Sequence, residues 1–182
     1  MHSESRRAAL RGTLALLACG GLIAPRARAR AMRVGEPAPL AVLTTLDGQR
    51  ISTQDLLGNV VILTFWATYC VPCRAELPLL SAYAAQHASE GLKVLGFSLD
   101  DADQIAEVRK VASQLSFPNG LLTGNSAPGY GRIWRMPANF TIGRDGRLAD
   151  NAWDDAQPSW TPDRLQNIIA PLLAKGTQPP PG

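Results

Sequence analysis

Asn59-Val60-Val61-Ile62-Leu63-Thr64-Phe65-Trp66-Ala67-Thr68-Tyr69-Cys70-Val71-Pro72-Cys73 is the stretch whose reading decides the fold of this chain. Residues 59–66 form a dense run of β-branched and aromatic side chains, the pattern of a strand buried on both faces. From Pro72 to about residue 88 the composition turns helical, and Pro78 is expected to kink that helix. Cys70 and Cys73 therefore fall where a strand gives way to a helix N-terminus. There the unpaired N–H groups and the helix dipole stabilise a thiolate. Two intervening residues bring the sulfurs within bonding range on the first turn, and Pro72 has no amide hydrogen to lose there. Geometry also divides the roles. Cys70, further out, attacks a target disulfide, and Cys73, further in, resolves the mixed disulfide.

Two other readings of the pair are weaker. Half of a structural zinc site would need four ligands, and only Cys19 and His87 are left beyond His2. A purely structural disulfide closing so short a loop removes little entropy from the unfolded chain.

Working outward, residues 40–51 carry an Asp47-Gly48 turn between short apolar stretches, a hairpin signal. Residues 92–99 read as a second central strand. Asp100-Asp101-Ala102-Asp103 supplies an acidic helix start, and that helix should run to about Leu115. Residues 138–142 and 148–153, joined through Arg144-Asp145-Gly146, form a second hairpin. Thr161 caps a final helix with Pro162 at its first position. The order is hairpin, β, α, β, α, hairpin and closing α, an α/β/α sandwich around a mixed central sheet with an extra N-terminal β-hairpin. No repeat or domain linker interrupts residues 35–175, and the proline-rich 177–182 should be disordered.

With 182 residues, 46% hydrophobic and 18% charged, the chain can build one packed domain and is not disordered throughout. The net charge of +3 is misleading: six arginines in residues 1–31 against Glu4 leave 12 basic and 14 acidic groups for the rest. Nucleic-acid binding thus loses its electrostatic argument. Arg6-Arg7, the apolar run 12–23 and the A-x-A ending at Ala29 to Ala31 read as an export signal rather than a membrane span, which needs ~18–20 apolar residues. The start resembles the twin-arginine pattern as much as a general secretory one. Leu16-Leu17-Ala18-Cys19 resembles a lipoprotein box, the alternative being that Cys19 is one more small apolar residue of a discarded signal.

Residues 65–78, from Phe65-Trp66-Ala67 through Cys70-Val71-Pro72-Cys73 to Glu76-Leu77-Pro78, resemble the active-site segment of thioredoxin-like proteins, and most closely the TlpA/ResA group of exported thiol–disulfide oxidoreductases. The resemblance extends over about residues 34–175. It divides the chain into an export signal (1–31), a thioredoxin-like domain (32–175) and a tail (176–182). It implies a cis-proline at Pro137 facing the disulfide and pairing Met136 with a substrate peptide. The alternative is an ordinary strand-start proline, and Met136 itself departs from the usual residue there. It also implies that Glu76 is a partly buried carboxylate tuning the cysteines or relaying a proton to Cys73, against a solvated helix glutamate. Thr64 stands where cytoplasmic thioredoxins carry a buried aspartate. Trp66 and Tyr69 read as walls of the redox surface, though Trp66 fits the core equally. Tyr130, Arg132, Trp134 and Arg135 read as a solvated loop face.

The resemblance implies a periplasmic disulfide reductase, a monomer without cofactor. Its substrates would be protein disulfides such as those of apocytochrome c or copper-site cysteines, with electrons from a membrane thiol donor. A Dsb-type oxidant or isomerase keeps the chemistry and reverses its direction. A peroxiredoxin fails on spacing, since Ala67 and Leu63 stand where threonine or serine and proline are needed. A Sco-like copper chaperone would need C-x-x-x-C and a distant histidine, and none follows His87.

N-terminal sequencing of exported protein should begin after Ala29 or Ala31. A chain still starting at Met1 overturns the cleaved signal, and a diacylglycerol mass on Cys19 establishes the lipoprotein instead.

Overall fold

The computed structural model describes residues 32–123 and 126–175; the expected export signal with Cys19 and the expected tail 176–182 lie outside the described residues. The run picked out above is the middle of the molecule. Strand β3, Val60–Trp66, is buried at every position. It lies in a five-stranded sheet between β4, Leu92–Ser98, and β6, Ala138–Ile142, with β5, Asn119–Leu121, and β7, Leu148–Asn151, at the edges. β3 runs parallel to β4 from Val60 opposite Leu92 to Trp66 opposite Ser98. It runs antiparallel to β6 from Val61 opposite Ile142 to Phe65 opposite Ala138. The sheet is mixed, as expected.

The two faces of β3 feed two cores. Val60, Ile62 and Trp66 pack with Leu77, Leu80 and Tyr83 of helix α1, Val71–Gln86. Val108 of α2, Ile105–Ala112, and Leu165, Ile169 and Leu173 near the C-terminus join the same cluster. Leu63 and Phe65 face the other way. Phe65 stacks on Phe97 at 5.1 Å and meets Phe140 edge-on at 5.7 Å. Ala41 and Leu43 of the N-terminal hairpin, together with Tyr130, close that side. The hairpin pairs β1, Val42–Thr44, with β2, Arg50–Ser52, around the Asp47-Gly48 turn, where Gly48 takes a φ of 83°.

Three local expectations need correcting. The element order omitted β5. Asn119-Gly120-Leu121 shows no alternation, and the strand exists because glycines let backbones approach: a Cβ on Gly120 would lie 2.0 Å from the Thr44 carbonyl oxygen. The helix after Asp100 was expected to reach Leu115, but α2 stops at Ala112. The closing helix is capped by Thr161, whose Oγ1 accepts from the Arg164 N–H, as expected. It is not α-helical throughout, however. Leu165–Ile169 is a π turn, with the Ala170 N–H donating back to the Leu165 carbonyl. Pro171 follows without an N–H to continue the α ladder, which is where such a turn relieves the pattern.

Two glycine variants separate close approach from backbone strain. Gly120→Ala must push the hairpin off β5 and should cost about 3 kcal/mol in urea unfolding. Gly48→Ala meets nothing within 4 Å but must hold a positive φ, and should cost only about 1–2 kcal/mol. Equal costs would show that the hairpin does not depend on the Gly120 approach.

Candidate functional site

β3 ends at Trp66, and the chain turns through Ala67, Thr68 and Tyr69 into α1. Cys70 is the N-cap of that helix, bonded to Cys73 in a disulfide with the Cα atoms 5.3 Å apart. The Cys73 N–H donates to Cys70 Sγ at 3.3 Å, so a helix N-terminal amide already points at the sulfur that would carry charge. Cys70 retains 7% exposure and Cys73 none, which matches the outer and inner roles assigned from spacing. Tyr69 and Val71 flank the pair and are exposed.

The approach to Cys70 is braced by a residue that sequence reasoning misplaced. Asp100 was taken as a helix-start acid, yet it is buried at the end of β4. Its carboxylate accepts from the Thr68 N–H at 2.9 Å, from the Thr68 hydroxyl, and from the Ser98 hydroxyl at 2.6 Å. Parallel pairing brings Ser98 alongside Trp66, which is how a carboxylate thirty residues away in sequence reaches the redox turn.

Glu76 lies one turn beyond Cys73 and is buried, not solvated. One carboxylate oxygen accepts from Asn139 Nδ2 at 3.0 Å and the other from the Trp160 N–H at 2.6 Å. Burial pushes its pKa up from 4.5 to about 7, and Asn139, Trp160 and the Arg164 guanidinium each pull against that rise. Arg164 is itself held by Asp150 at 2.7 Å and by Asp155, and lies over the Trp160 ring at 5.3 Å. Neither Asn139 nor Trp160 was singled out in the sequence. An asparagine inside an otherwise apolar strand, two residues past Pro137, was the available signal.

The Met136–Pro137 peptide bond is cis. Met136 and Pro137 border a groove together with Pro72, which sits between the cysteines, and with residues 156–159. Trp66 proves to be core: it is wholly buried and its Nε1–H donates to Asn119 Oδ1 at 3.1 Å. The segment before Pro137 is not the solvated face expected. Tyr130 is buried and donates to the Pro39 carbonyl at 2.9 Å, and the Arg135 guanidinium donates to the carbonyls of Ala152 and Asp155. Arg132 and Trp134 do fit: both are exposed, and Trp134 stacks on Trp153 at 5.7 Å. Among the described residues no cluster of three histidines, cysteines or acids could hold a metal ion.

Because the folded pKa of Glu76 is raised, the folded protein keeps a proton between pH 4.5 and about 7 that the unfolded chain has released. This contribution to stability is complete below pH 4.5 and is lost as pH rises to about 7. Relative to Glu76→Gln, the wild type should lose on the order of 3 kcal/mol across that window in urea titrations. Parallel profiles for the two proteins would show that Glu76 is not buried as an ionisable acid.

Comparison with known proteins agrees with this geometry. Residues 34–150 match the model of the AhpC/TSA family. The chain is 31% identical over 121 residues to the thiol-disulfide oxidoreductase ResA of Bacillus thuringiensis, covering 65% of this chain and 69% of that one. Among solved structures, a thiol:disulfide interchange protein of the thioredoxin family from Chlorobium tepidum superposes with a TM-score of 0.67 at 26% identity, covering 78% of this chain and 97% of that one. A secreted Mycobacterium tuberculosis disulfide oxidoreductase homologous to Escherichia coli DsbE gives 0.60 at 26% identity, over 72% and 95%. With its redox pair, fold and relatives in agreement, the chain belongs to the AhpC/TSA family of thioredoxin-like proteins and is a thiol–disulfide oxidoreductase of the ResA/DsbE type.

Proposed function

We propose that this oxidoreductase works outside the cytoplasm as a reductant of protein disulfides. The observation that carries the reading is the pairing of an outer Cys70 and an enclosed Cys73 with a buried carboxylate, Glu76, one turn along the same helix. The Cys70 thiolate attacks one sulfur of the target disulfide, and the target's other sulfur leaves as a thiolate. The Cys73 thiol passes its proton to the Glu76 carboxylate, and its sulfur attacks Cys70 Sγ. The second target thiolate leaves, two electrons have moved to the target, and Cys70–Cys73 is again a disulfide. A carboxyl that titrates at about 7 suits that exchange, since both its forms are populated near neutral pH.

Pro137 and Met136 supply the edge along which an extended substrate peptide lies beside Pro72. By resemblance to the TlpA/ResA group, the targets are cysteine pairs of apocytochrome c or of copper sites, and a membrane thiol donor returns the electrons. Export is supported by the arginine-led apolar segment and by the secreted relative. Among the described residues no helix is long and apolar enough to cross a membrane.

Cys73→Ser should trap a mixed disulfide through Cys70 with insulin or an oxidised cytochrome peptide, detectable by non-reducing gel and mass spectrometry. Cys70→Ser should trap almost nothing. Adducts accumulating on Cys73 instead would reverse the roles. A wild-type dithiol that stays reduced in glutathione buffers and never passes electrons to a protein disulfide would favour the oxidant.

A further inference from the structure

Asn139 is wholly buried on β6, opposite Thr64 of β3 and two residues past Pro137. Its single Nδ2 spends both hydrogens: one goes to Glu76 Oε1 at 3.0 Å and the other to the Pro158 carbonyl at 2.9 Å. The Pro158 carbonyl can only accept, so the amide fits with its nitrogen on that side and its Oδ1 is buried without a hydrogen-bond partner. Trp160, two residues past Pro158, supplies the second donor to Glu76. The carboxylate is thus met by donors on both oxygens, and both donors are coupled to the segment that borders the groove beside the disulfide.

We propose that Asn139 is a positioning residue that orients Glu76 toward its exchange with Cys73 and, through Pro158, ties that carboxylate to the 156–159 wall of the substrate groove. The proposal rests on the reading of Glu76 as proton acceptor. Its physical consequence is a coupling. When Glu76 takes the Cys73 proton, the bonds from Asn139 Nδ2 and the Trp160 N–H change from charge-assisted to neutral and weaken. Of the two donors, Asn139 holds the groove residue Pro158 and Trp160 lies two residues beyond it. Proton uptake during resolution therefore slackens the wall bordering Pro137 as the reduced target leaves. The other charge acting on Glu76 is Arg164 of the closing helix, paired with Asp150 and Asp155, while Cys70 and Cys73 come from its own helix.

The test is an NMR titration of the Glu76 side-chain carboxyl carbon in the full oxidised chain. Asn139→Ala removes a donor that favours the ionised form, so the midpoint should rise from about 7 by roughly one to two units. Thr64→Ala, which shortens the residue opposite Asn139 and removes a hydroxyl that has no hydrogen-bond partner, should leave the midpoint in place. If Asn139→Ala does not fold, Asn139→Ser keeps one donor on a shorter arm and should move the midpoint in the same direction by less. The pH profile of Cys73 alkylation in the reduced protein should shift with Asn139→Ala, and that shift should vanish in a Glu76→Gln background. A Glu76 midpoint unmoved by either Asn139 variant overturns the proposal. A midpoint that moves while wild-type Cys73 alkylation proves indifferent to Glu76 supports the link from Asn139 to Glu76 and overturns the proton-acceptor reading instead.

Discussion

Strand Val60–Trp66 has no exposed face, and the placement of everything functional follows from that. A strand buried on both sides needs partners on both edges and cover on both faces, or its amides lose water without replacement. The parallel partner Leu92–Ser98 and the antiparallel partner Ala138–Ile142 meet the first need and bring two further chain segments to the same end of the sheet. One carries Ser98 and Asp100, which hold the turn before Cys70. The other starts directly after the cis peptide at Pro137 and carries Asn139. The redox turn, its brace and the groove edge are therefore neighbours because they are three ends of one sheet.

At Glu76 two opposing effects meet. Removing a carboxylate from water is the larger, and it alone would hold the group protonated well past neutrality. Two hydrogen-bond donors and the field of Arg164 offset part of it, and the balance falls at about 7. Arg164 acts without direct contact because its guanidinium is committed to Asp150 and Asp155. That commitment also fastens the closing helix to β7 and to the segment bordering the groove. The buried acid is thus built from four separate elements, and no one of them would produce its titration alone.

Much of this was legible in order along the chain. Residues 59–66 announce a central strand because every side chain after Asn59 is apolar or β-branched. Cys70-Val71-Pro72-Cys73 announces a dithiol because a helix start must follow. Thr161-Pro162 announces a cap, and the Asp47-Gly48 turn announces a hairpin. Such signals are local: capping, turn geometry and hydrophobic period depend on residues a few positions apart. The short strand at Asn119 escaped because its reason lies elsewhere, in the Thr44 carbonyl that crowds Gly120 and in Trp66, which bonds the Asn119 side chain.

The sequence by itself determined the redox pair, the strand and helix that present it, and the order of the two cysteines from surface to interior. Only the tertiary structure decided what surrounds them. It made Trp66 core rather than wall, Asp100 a brace rather than a helix start, and Asn139 and Trp160 the partners of Glu76. Each of those assignments joins residues thirty or more positions apart, across strand register or between helix and sheet. A polar side chain in a sequence carries its donors and acceptors with it, but whether water or protein satisfies them is settled only when the chain has packed.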